Sequence, residues 1–200
     1  MVPLVLASSS PRRADLLRQL GLSFSVCKPQ VDETVLPGEA PVAFVKRLAI
    51  EKADAIIQKV DADRVDSVVV AADTVVVIDD LILGKPISRS VAVRMLQQLS
   101  GRTHVVTTGV SVVGAKQRNV FAVETKVTFR TLNRDDMEKY WCSGEPCDKA
   151  GAYGIQGLGA VFVERIDGSY SNVVGLPLME TARALTDQGI DCLVDNSLNG

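Results

Sequence analysis

The sequence predicts a mixed α/β fold in which helices flank a β-sheet. Strand-type apolar runs and helix-type apolar periodicities are interspersed along the 200 residues. Short turns between strand-type runs outnumber helical crossovers, which argues against a clean doubly wound parallel sheet. The chain has no internal repeat and no low-complexity linker, so we expect residues 1–200 to form a single domain.

Composition and charge narrow the class of function. The hydrophobic fraction of 46% and the charged fraction of 23% are ordinary for a soluble globular protein. A net charge of −2 gives no general attraction for nucleic acid, so any anion site must be local. The apolar runs are too short to span a membrane and no signal peptide is evident, so we expect a cytoplasmic protein. Four scattered cysteines and a single histidine argue against a zinc site and favour reduced thiols.

The first structural unit predicted is a strand, a serine-rich loop and a helix. Residues 2–7 are apolar and strand-like, and three serines follow them. Ser10 suits the N-cap of the helix, and Pro11 suits its first position, where the missing N–H costs nothing. Gly21 is the expected helix end.

Two arginines occupy the first turn of that helix. Arg12 and Arg13 lie at the positive end of the helix dipole, where each cation is unfavourable by roughly 0.3–1 kcal/mol. Free backbone N–H groups, serine hydroxyls and two guanidiniums converge there, and a phosphate would satisfy all of them. The alternative is a capped helix with two solvated arginines.

The next elements place a lysine on an apolar helix face. A second strand is expected over residues 24–31, ending at Asp32, Glu33 and Thr34. Pro41 opens a long helix in which Lys52 falls on the same stripe as Val45 and Leu48. A lysine there must either extend to solvent or meet an anion.

An acidic residue interrupts the most apolar stretch of the chain. Asp73 lies inside the β-branched run of residues 68–78, and Thr74 follows it. A buried carboxylate costs several kcal/mol unless it meets a cation or metal. The candidate cations are Arg12, Arg13, Lys52 and Lys85. Alternatively, Asp73 lies at a strand bend and faces water.

The remaining elements follow from turn and cap signals. Residues 79–80 should turn into a short strand at 81–83. Ser88 and Asn133 should cap helices, the second with Asp136 in a capping box, and His104 should start a strand in a structural role. Further strands are expected at residues 104–113 and 120–132, a hairpin at 160–166 turning at 167–168, and a last helix from Pro177 through residue 185.

Two more features could carry chemistry. Asp32 and Glu33 end a strand, where oxygen ligands for Mg²⁺ are common, although a solvated turn explains them almost as well. The glycines of residues 151–159 allow close approach of backbone to a ligand but match neither a dinucleotide motif nor a P-loop. With the arginines, Lys52 and Asp73, these features suit phosphoryl or nucleotidyl transfer.

The same segments resemble the Maf family of nucleoside triphosphate pyrophosphatases. The resemblance runs in order through nearly the whole chain, except the tail after residue 189. The matching segments are residues 6–13 (LASSSPRR), 31–33, 48–53, 72–76, 83–86, 99–104, 144–146, 148–157 (DKAGAYGIQG) and 174–177.

This resemblance implies a fold and a reaction. The fold would be an elongated mixed sheet with a central cleft between two lobes, often as a homodimer. The reaction would cleave a nucleoside triphosphate between the α- and β-phosphates, and residues 148–157 resemble the branch acting on dTTP and UTP. The family is also associated with septum formation.

The resemblance also implies roles for individual residues. Asp73 would be the general base, and Glu33 and Asp73 would hold Mg²⁺ or Mn²⁺. The residues around the phosphates would be Ser8, Arg12, Arg13, Glu33, Lys52 and Lys85. The selectivity positions would be Arg12, Thr74 and Gln156.

Two other functions remain open from the residues alone. A sugar-nucleotide nucleotidyltransferase also begins with a strand, a small-residue loop and an arginine, but three serines replace its glycine-rich loop poorly. A non-catalytic nucleotide sensor linked to cell division could keep Arg12, Lys52 and Gln156 without needing Asp73.

Overall fold

One mixed sheet organises the chain. The computed structural model describes residues 2–60 and 67–192, and in that part of the chain seven strands pair into a single sheet. The strands are β1 Leu4–Ala7, β2 Ser25–Cys27, β3 Val68–Ile78, β4 Leu81–Leu83, β5 Thr103–Val113, β6 Arg118–Phe129 and β7 Val163–Asp167. The α-helices are α1 Pro11–Arg18, α2 Pro41–Val60, α3 Arg89–Leu99, α4 Arg134–Cys142, α5 Tyr170–Val174 and α6 Leu178–Asp187. The predicted fold class is confirmed.

Parallel and antiparallel pairings divide the sheet. Its order is β2-β1-β3-β5-β6-β7, with β4 added to β3. Strand β1 is parallel to both neighbours, and the other pairings are antiparallel. Two of the antiparallel pairs, β3 with β4 and β5 with β6, are joined by short turns. Asp79 and Asp80 form one of them with positive φ angles of 49° and 62°, as a two-residue hairpin requires.

The alternation of β3 side chains explains why helices cover both faces. On one face, Val69, Ala71 and Val75 pack with α2 residues that include Val45, Leu48, Ala53 and Ile56. On the other face, Val68, Val70 and Ala72 pack with α1 and α6, and Val76 and Ile78 pack with α3 and α4. The continuous apolar run that predicted a strand is therefore a strand buried on two sides.

A gap in strand pairing positions the site. Strand β5 pairs with one side of β3 over residues 69–77. Strands β1 and β4 share the other side, β1 reaching Ala71 and β4 beginning at Val76. Residues 72–75 thus have no strand partner on this side in the described chain. A cleft opens at this gap. Asp73 and Thr74 point to opposite faces of the sheet, and both line the cleft.

Several predicted boundaries are confirmed. Ser88 accepts a hydrogen bond from the Val91 N–H, and Asn133 and Asp136 form the reciprocal capping box. His104 is buried and its Nε2 lies 2.8 Å from the Tyr153 hydroxyl. Burial lowers the pKa of His104 to about 4, which fits the structural role predicted for it.

None of the helices in the described ranges is long and apolar enough to span a membrane.

Two predicted strands differ from the structure. The second strand ends at Cys27, because its partner β1 ends at Ala7, which pairs with Cys27. Asp32, Glu33 and Thr34 therefore lie in a loop. The predicted hairpin over 160–166 is wrong: residues 158–162 form a 3₁₀ helix, and β7 pairs with β6 instead.

One helix was not predicted, and one predicted helix start is wrong. After residue 168 the chain forms α5, which the sequence analysis does not predict. Ser169 caps this helix by accepting from the Asn172 N–H. Pro177 is the N-cap of α6 and not its first residue. Ser10 occupies the N-cap of α1, with Pro11 after it as predicted, but its side chain makes no capping bond.

Candidate active site

A cleft of about 780 Å³ opens at the gap beside β3. Its wall draws on the loop after β1, the start of α1, α2, β3 and the segment from 145 to 157. It includes every residue predicted for the site: Ser8, Arg12, Arg13, Glu33, Lys52, Asp73, Thr74, Lys85 and Gln156. The sequence prediction therefore selected residues that the fold brings together.

Lys52 and Asp73 form a buried ion pair. The Lys52 Nζ donates to Asp73 Oδ1 at 2.6 Å, and the two residues are 6% and 8% exposed. The same Nζ lies 2.6 Å from Glu33 Oε1. Of the alternatives left open, a solvent-reaching Lys52 and a water-facing Asp73 are both excluded. Asp73 Oδ2 has no hydrogen bond within the described residues.

The approach of α2 to the sheet allows this pairing. Asp73 pairs across the sheet with Gly109 of β5, and both lie on the face that α2 covers. A Cβ atom at Gly109 would lie 2.4 Å from the Val45 carbonyl oxygen. Only glycine lets the helix backbone pack this closely, and this packing holds Lys52 against Asp73.

Glu33 responds to the charges around it. Burial raises its pKa, but hydrogen bonding and charge from Lys52, together with Lys85, outweigh burial, and the net pKa is lowered. Lys85 Nζ is 3.6 Å from Glu33 Oε2, and the Lys85 side chain is mostly exposed. Glu33 therefore remains charged at neutral pH and is shared between two lysines.

Arg13 is held by hydrogen bonds from two elements. Its Nε donates to the Gly175 carbonyl at 2.8 Å, and its Nη2 donates to the Thr74 hydroxyl at 2.9 Å. Burial lowers the pKa of Arg13, and the charge of Asp73 partly opposes this. The alternative of a solvated arginine is excluded for Arg13. Its remaining N–H groups have no other hydrogen-bond partner in the described chain.

Thr74 is part of a directed chain of hydrogen bonds. Thr108 donates its single hydroxyl proton to the Asn172 carbonyl at 3.0 Å. In its 2.9 Å contact with Thr74 it must therefore accept, and Thr74 donates. Thr74 thus accepts from Arg13 and gives its proton to Thr108. Its role in selectivity stays a prediction.

Arg12 and Ser8 stand at the opening of α1. Arg12 Nη1 lies 3.4 Å from Asp148 Oδ2, and its side chain is 29% exposed. Ser8 is buried, and its Oγ accepts from the Ser10 N–H at 3.1 Å. The Ser8 hydroxyl therefore organises the turn into α1.

The far wall of the cleft is irregular but tightly bonded. Residues 145–162 contain three 3₁₀ helices: Glu145–Asp148, Ala150–Ala152 and Leu158–Phe162. The Glu145 carboxylate accepts from the Tyr140 hydroxyl at 2.7 Å and from the N–H groups of Leu158 and Gly159. Gln156 is exposed, and its side chain makes no hydrogen bond within the described residues. The sequence analysis assigns no role to Tyr140 or Glu145, although residues 144–146 belong to the matching segments.

A metal ion would depend on the substrate for part of its coordination. No group of three or more His, Cys, Asp or Glu side chains in residues 2–60 and 67–192 could hold a metal. Glu33 and Asp73 nevertheless converge on Lys52 Nζ from two elements. Mg²⁺ commonly takes one or two protein carboxylates, with waters and phosphates completing the shell. This donor set fits such a site.

Comparisons with known proteins match nearly the whole chain. A family model described as Maf-like protein matches residues 3–188. A dTTP/UTP pyrophosphatase of Hahella chejuensis (strain KCTC 2396) is 50% identical over 187 residues, covering 94% of this chain and 92% of that protein. One from Vibrio parahaemolyticus serotype O3:K6 is 51% identical over 184 residues, covering 92% and 96%.

Among solved structures, a nucleoside-triphosphatase / dITP/XTP pyrophosphatase from Mycobacterium abscessus covers 93% of this chain and 94% of its own, with 16% identity and a TM-score of 0.45. The family itself follows from sequence, since the family model spans most of the chain and the curated relatives share about half of their aligned residues with it. The resemblance stated from the motifs is confirmed: this chain belongs to the Maf family.

Proposed function

We propose that this protein hydrolyses dTTP and UTP to the nucleoside monophosphate and pyrophosphate. The observation that carries the proposal is the buried Asp73 carboxylate, fixed to Lys52 through one oxygen at the gap in the sheet, beside Arg13. The names of the Hahella and Vibrio relatives support the reaction and the two substrates.

Positive charge concentrates where the phosphates would lie. We call Arg12, Arg13, Lys52 and Lys85 the phosphate end of the cleft. With Lys149, the cleft has five cations and four carboxylates among its lining residues, which leaves a small positive surplus. Guanidinium N–H groups and lysine ammonium groups suit anionic oxygens. The surplus is smaller than the charge of a triphosphate, which favours a divalent cation as co-substrate.

Asp73 is the proposed general base. Its Oδ1 is occupied by Lys52, which fixes the carboxylate, and its Oδ2 is available to accept a proton from water. A base in hydrogen-bond reach of the attacking water typically contributes ~10²–10⁴-fold to the rate. The water would attack the α-phosphorus, and pyrophosphate would leave with its negative charge stabilised by the lysines and arginines.

Glu33 and Asp73 would hold Mg²⁺ or Mn²⁺ together with the substrate phosphates. When bound, such an ion neutralises phosphate charge and polarises the bond to be broken. The protein side chains would still perform the positioning, because Lys52 links both carboxylates. For the ion to reach Glu33 and Asp73, the contacts of Lys52 with these two carboxylates would rearrange when the substrate binds.

Base selection is assigned to residues 145–159, which we call the base end of the cleft. The Gln156 amide offers a donor and an acceptor side by side, which match the O4 acceptor and N3–H donor of uracil and thymine. Arg12 and Thr74 are the other proposed selectivity positions. A two-lobed single domain, a cytoplasmic location and a homodimer also remain predictions.

Product analysis tests the function. The protein would be incubated with each nucleoside triphosphate, with Mg²⁺ or with chelator, and the products identified. We expect monophosphate and pyrophosphate from dTTP and UTP, and little product from dCTP, dATP or dGTP. Turnover that requires a sugar phosphate would support a nucleotidyltransferase, and binding without turnover would support a sensor. A preference for purine triphosphates would contradict the assignment.

A further inference from the structure

The Glu145 carboxylate accepts hydrogen bonds from two separate segments of the chain. One donor is the hydroxyl of Tyr140 on α4, and two are the backbone N–H groups of Leu158 and Gly159. The Tyr140 hydroxyl in turn accepts from the Gly154 N–H at 3.0 Å. These contacts hold the backbone on one side of Gln156 to Tyr140 and on the other side to Glu145, which Tyr140 links to α4.

The backbone of this segment is shaped to fit around the carboxylate. A Cβ atom at Gly157 would lie 2.3 Å from Glu145 Oε2, so any larger residue there would displace the carboxylate. Lys149 encloses Glu145 further, since its Nζ donates to the Glu145 carbonyl at 2.6 Å. The glycines that the sequence associated with close approach to a ligand therefore also allow close approach to a protein carboxylate.

Glu145 remains an acceptor at neutral pH. Burial raises its pKa, but the hydrogen bonds from Tyr140, Leu158 and Gly159 and the charge of Lys149 outweigh burial, so the net pKa is lowered. An ionised carboxylate accepts at both oxygens and donates at neither. It is the side chain best suited to three converging donors.

Gln156 lacks the support that its proposed role requires. An amide can flip to suit cytosine, so it selects uracil only if its surroundings hold it in one position. Its own side chain has no hydrogen bond in the described chain. Its backbone, by contrast, is held between Gly154 and Leu158, the two sites that Tyr140 and Glu145 anchor.

We infer that Glu145, with Tyr140, is a positioning residue for base selection: it holds the Gln156 segment so that the amide presents one edge to the base. This inference rests on the proposed function. Glu145 does not touch the phosphate end through its carboxylate, so its loss should change which base is accepted more than it changes phosphate binding.

Glu145→Gln tests the inference with little change in volume. The amide nitrogen adds a donor where three donors already converge, so at least one contact must break. We expect hydrogen exchange at Leu158 and Gly159 to accelerate at least about tenfold. The preference for UTP over CTP should fall at least about fivefold, while inhibition by inorganic pyrophosphate stays unchanged.

Glu138→Gln is the matched control. Glu138 lies on α4 with Tyr140 but pairs with Arg89 outside the cleft. Its substitution should leave both exchange and base preference as in the wild type. Tyr140→Phe is a second test variant that removes one hydroxyl, and it should accelerate exchange at Gly154 with a smaller loss of preference.

The double variant Glu145→Gln with Gln156→Ala separates positioning from general destabilisation. If Glu145 acts through Gln156, the double variant should prefer UTP to the same extent as Gln156→Ala alone. Wild-type preference in Glu145→Gln, or additive losses in the double variant, would overturn the inference. A Gln156→Ala variant that keeps the full preference would overturn it as well.

Failure of the inference and failure of the proposed function give different results. Preference is measured both as kcat/KM and as equilibrium binding in chelator. If wild-type protein binds UTP over CTP without forming monophosphate, the proposed function fails, and the binding preference of Glu145→Gln still decides the role of Glu145. If wild-type protein binds neither nucleotide, both fail.

Discussion

At the phosphate end of the cleft, Lys52 stands on the 20-residue helix α2 and pairs with Asp73 of the 11-residue strand β3. At the base end, Gln156 lies on an irregular segment whose backbone N–H groups donate to the side chains of Glu145 and of Tyr140 on α4. The first region takes its geometry from backbone pairing and core packing. The second takes it from a few polar contacts.

This difference matches the two tasks. Charged groups that must stay close together without ligand need rigid elements, because a misplaced buried charge costs several kcal/mol. A residue that only selects a base can stand on a segment that is held locally. Substitutions of Lys52 and Asp73 should therefore affect all substrates and the stability of the fold, whereas substitution of Gln156 should affect selectivity.

The largest expected effect is that of Asp73→Asn. Removing the general base should lower turnover at least ~10²-fold on every accepted triphosphate while nucleotide binding survives. Steady-state kinetics and equilibrium binding measure the two quantities. Turnover like that of the wild type would remove Asp73 from the mechanism, and a change in Mg²⁺ dependence would indicate that it also holds the metal.

Lys52→Met should destabilise the fold as well as impair catalysis. Breaking a buried ion pair by removing one partner costs roughly 3–5 kcal/mol, because the other charge is left unpaired. From the charge of the cations alone, one would expect their removal to stabilise the empty protein. The contacts of Lys52 with Asp73 and Glu33 reverse that expectation.

Chemical denaturation measures the Lys52 effect. Lys59→Met is the control, since Lys59 is exposed on the last turn of the same helix. Catalytic efficiency should fall for all triphosphates by a similar factor. Unchanged stability would show that Asp73 finds another partner, and a loss confined to one base would contradict the assignment to the phosphate end.

Gln156→Ala should have a smaller and more selective effect. Gln156 is exposed in the structure, and a bound base would bury its amide. Losing such a buried hydrogen-bonding partner costs roughly 1–3 kcal/mol, so catalytic efficiency on UTP and dTTP should fall by a corresponding factor. Catalytic efficiency on the poorly accepted triphosphates should change far less, so the preference for UTP and dTTP over them should decrease. Competition assays with paired nucleotides measure the ratio directly, and an undiminished uridine preference would refute the role of Gln156.

The smallest effect is expected at the contact that joins the two ends. Arg12 and Asp148 form a long, partly exposed ion pair at 3.4 Å, and such pairs contribute about 0–1 kcal/mol. Asp148→Asn should therefore change kcat/KM less than about fivefold on any base. A large, uniform loss would show that Asp148 organises the phosphate end, and a base-specific loss would move it into the selectivity group.

Much of the phosphate end could be predicted from sequence. The unit of β1, serine loop and α1 followed from apolar patterning and the position of Pro11, and Lys52 followed from its place on an apolar stripe. Asp73 stood out because a carboxylate inside a buried run demands a partner. These are properties of single elements, which local sequence encodes.

The base end could not be predicted in the same way. Its glycines suggested that the backbone approaches a ligand closely. No periodicity in the sequence indicates that Glu145 accepts hydrogen bonds from the N–H groups of Leu158 and Gly159. The failed hairpin at 160–166 has the same cause: a short apolar segment can pair with several partners, and the one it meets depends on the rest of the sheet.

The sequence by itself indicated most strands and helices, placed Asp73 and Lys52 within apolar patterns, and identified the family. The tertiary structure decided which cation Asp73 meets: of Arg12, Arg13, Lys52 and Lys85, it is Lys52 that donates to it. The physical reason is that this choice depends on non-local register. Gly109 opposite Asp73 admits α2, and β1 and β4 leave residues 72–75 open on one side, so three distant segments must pack before the pair exists.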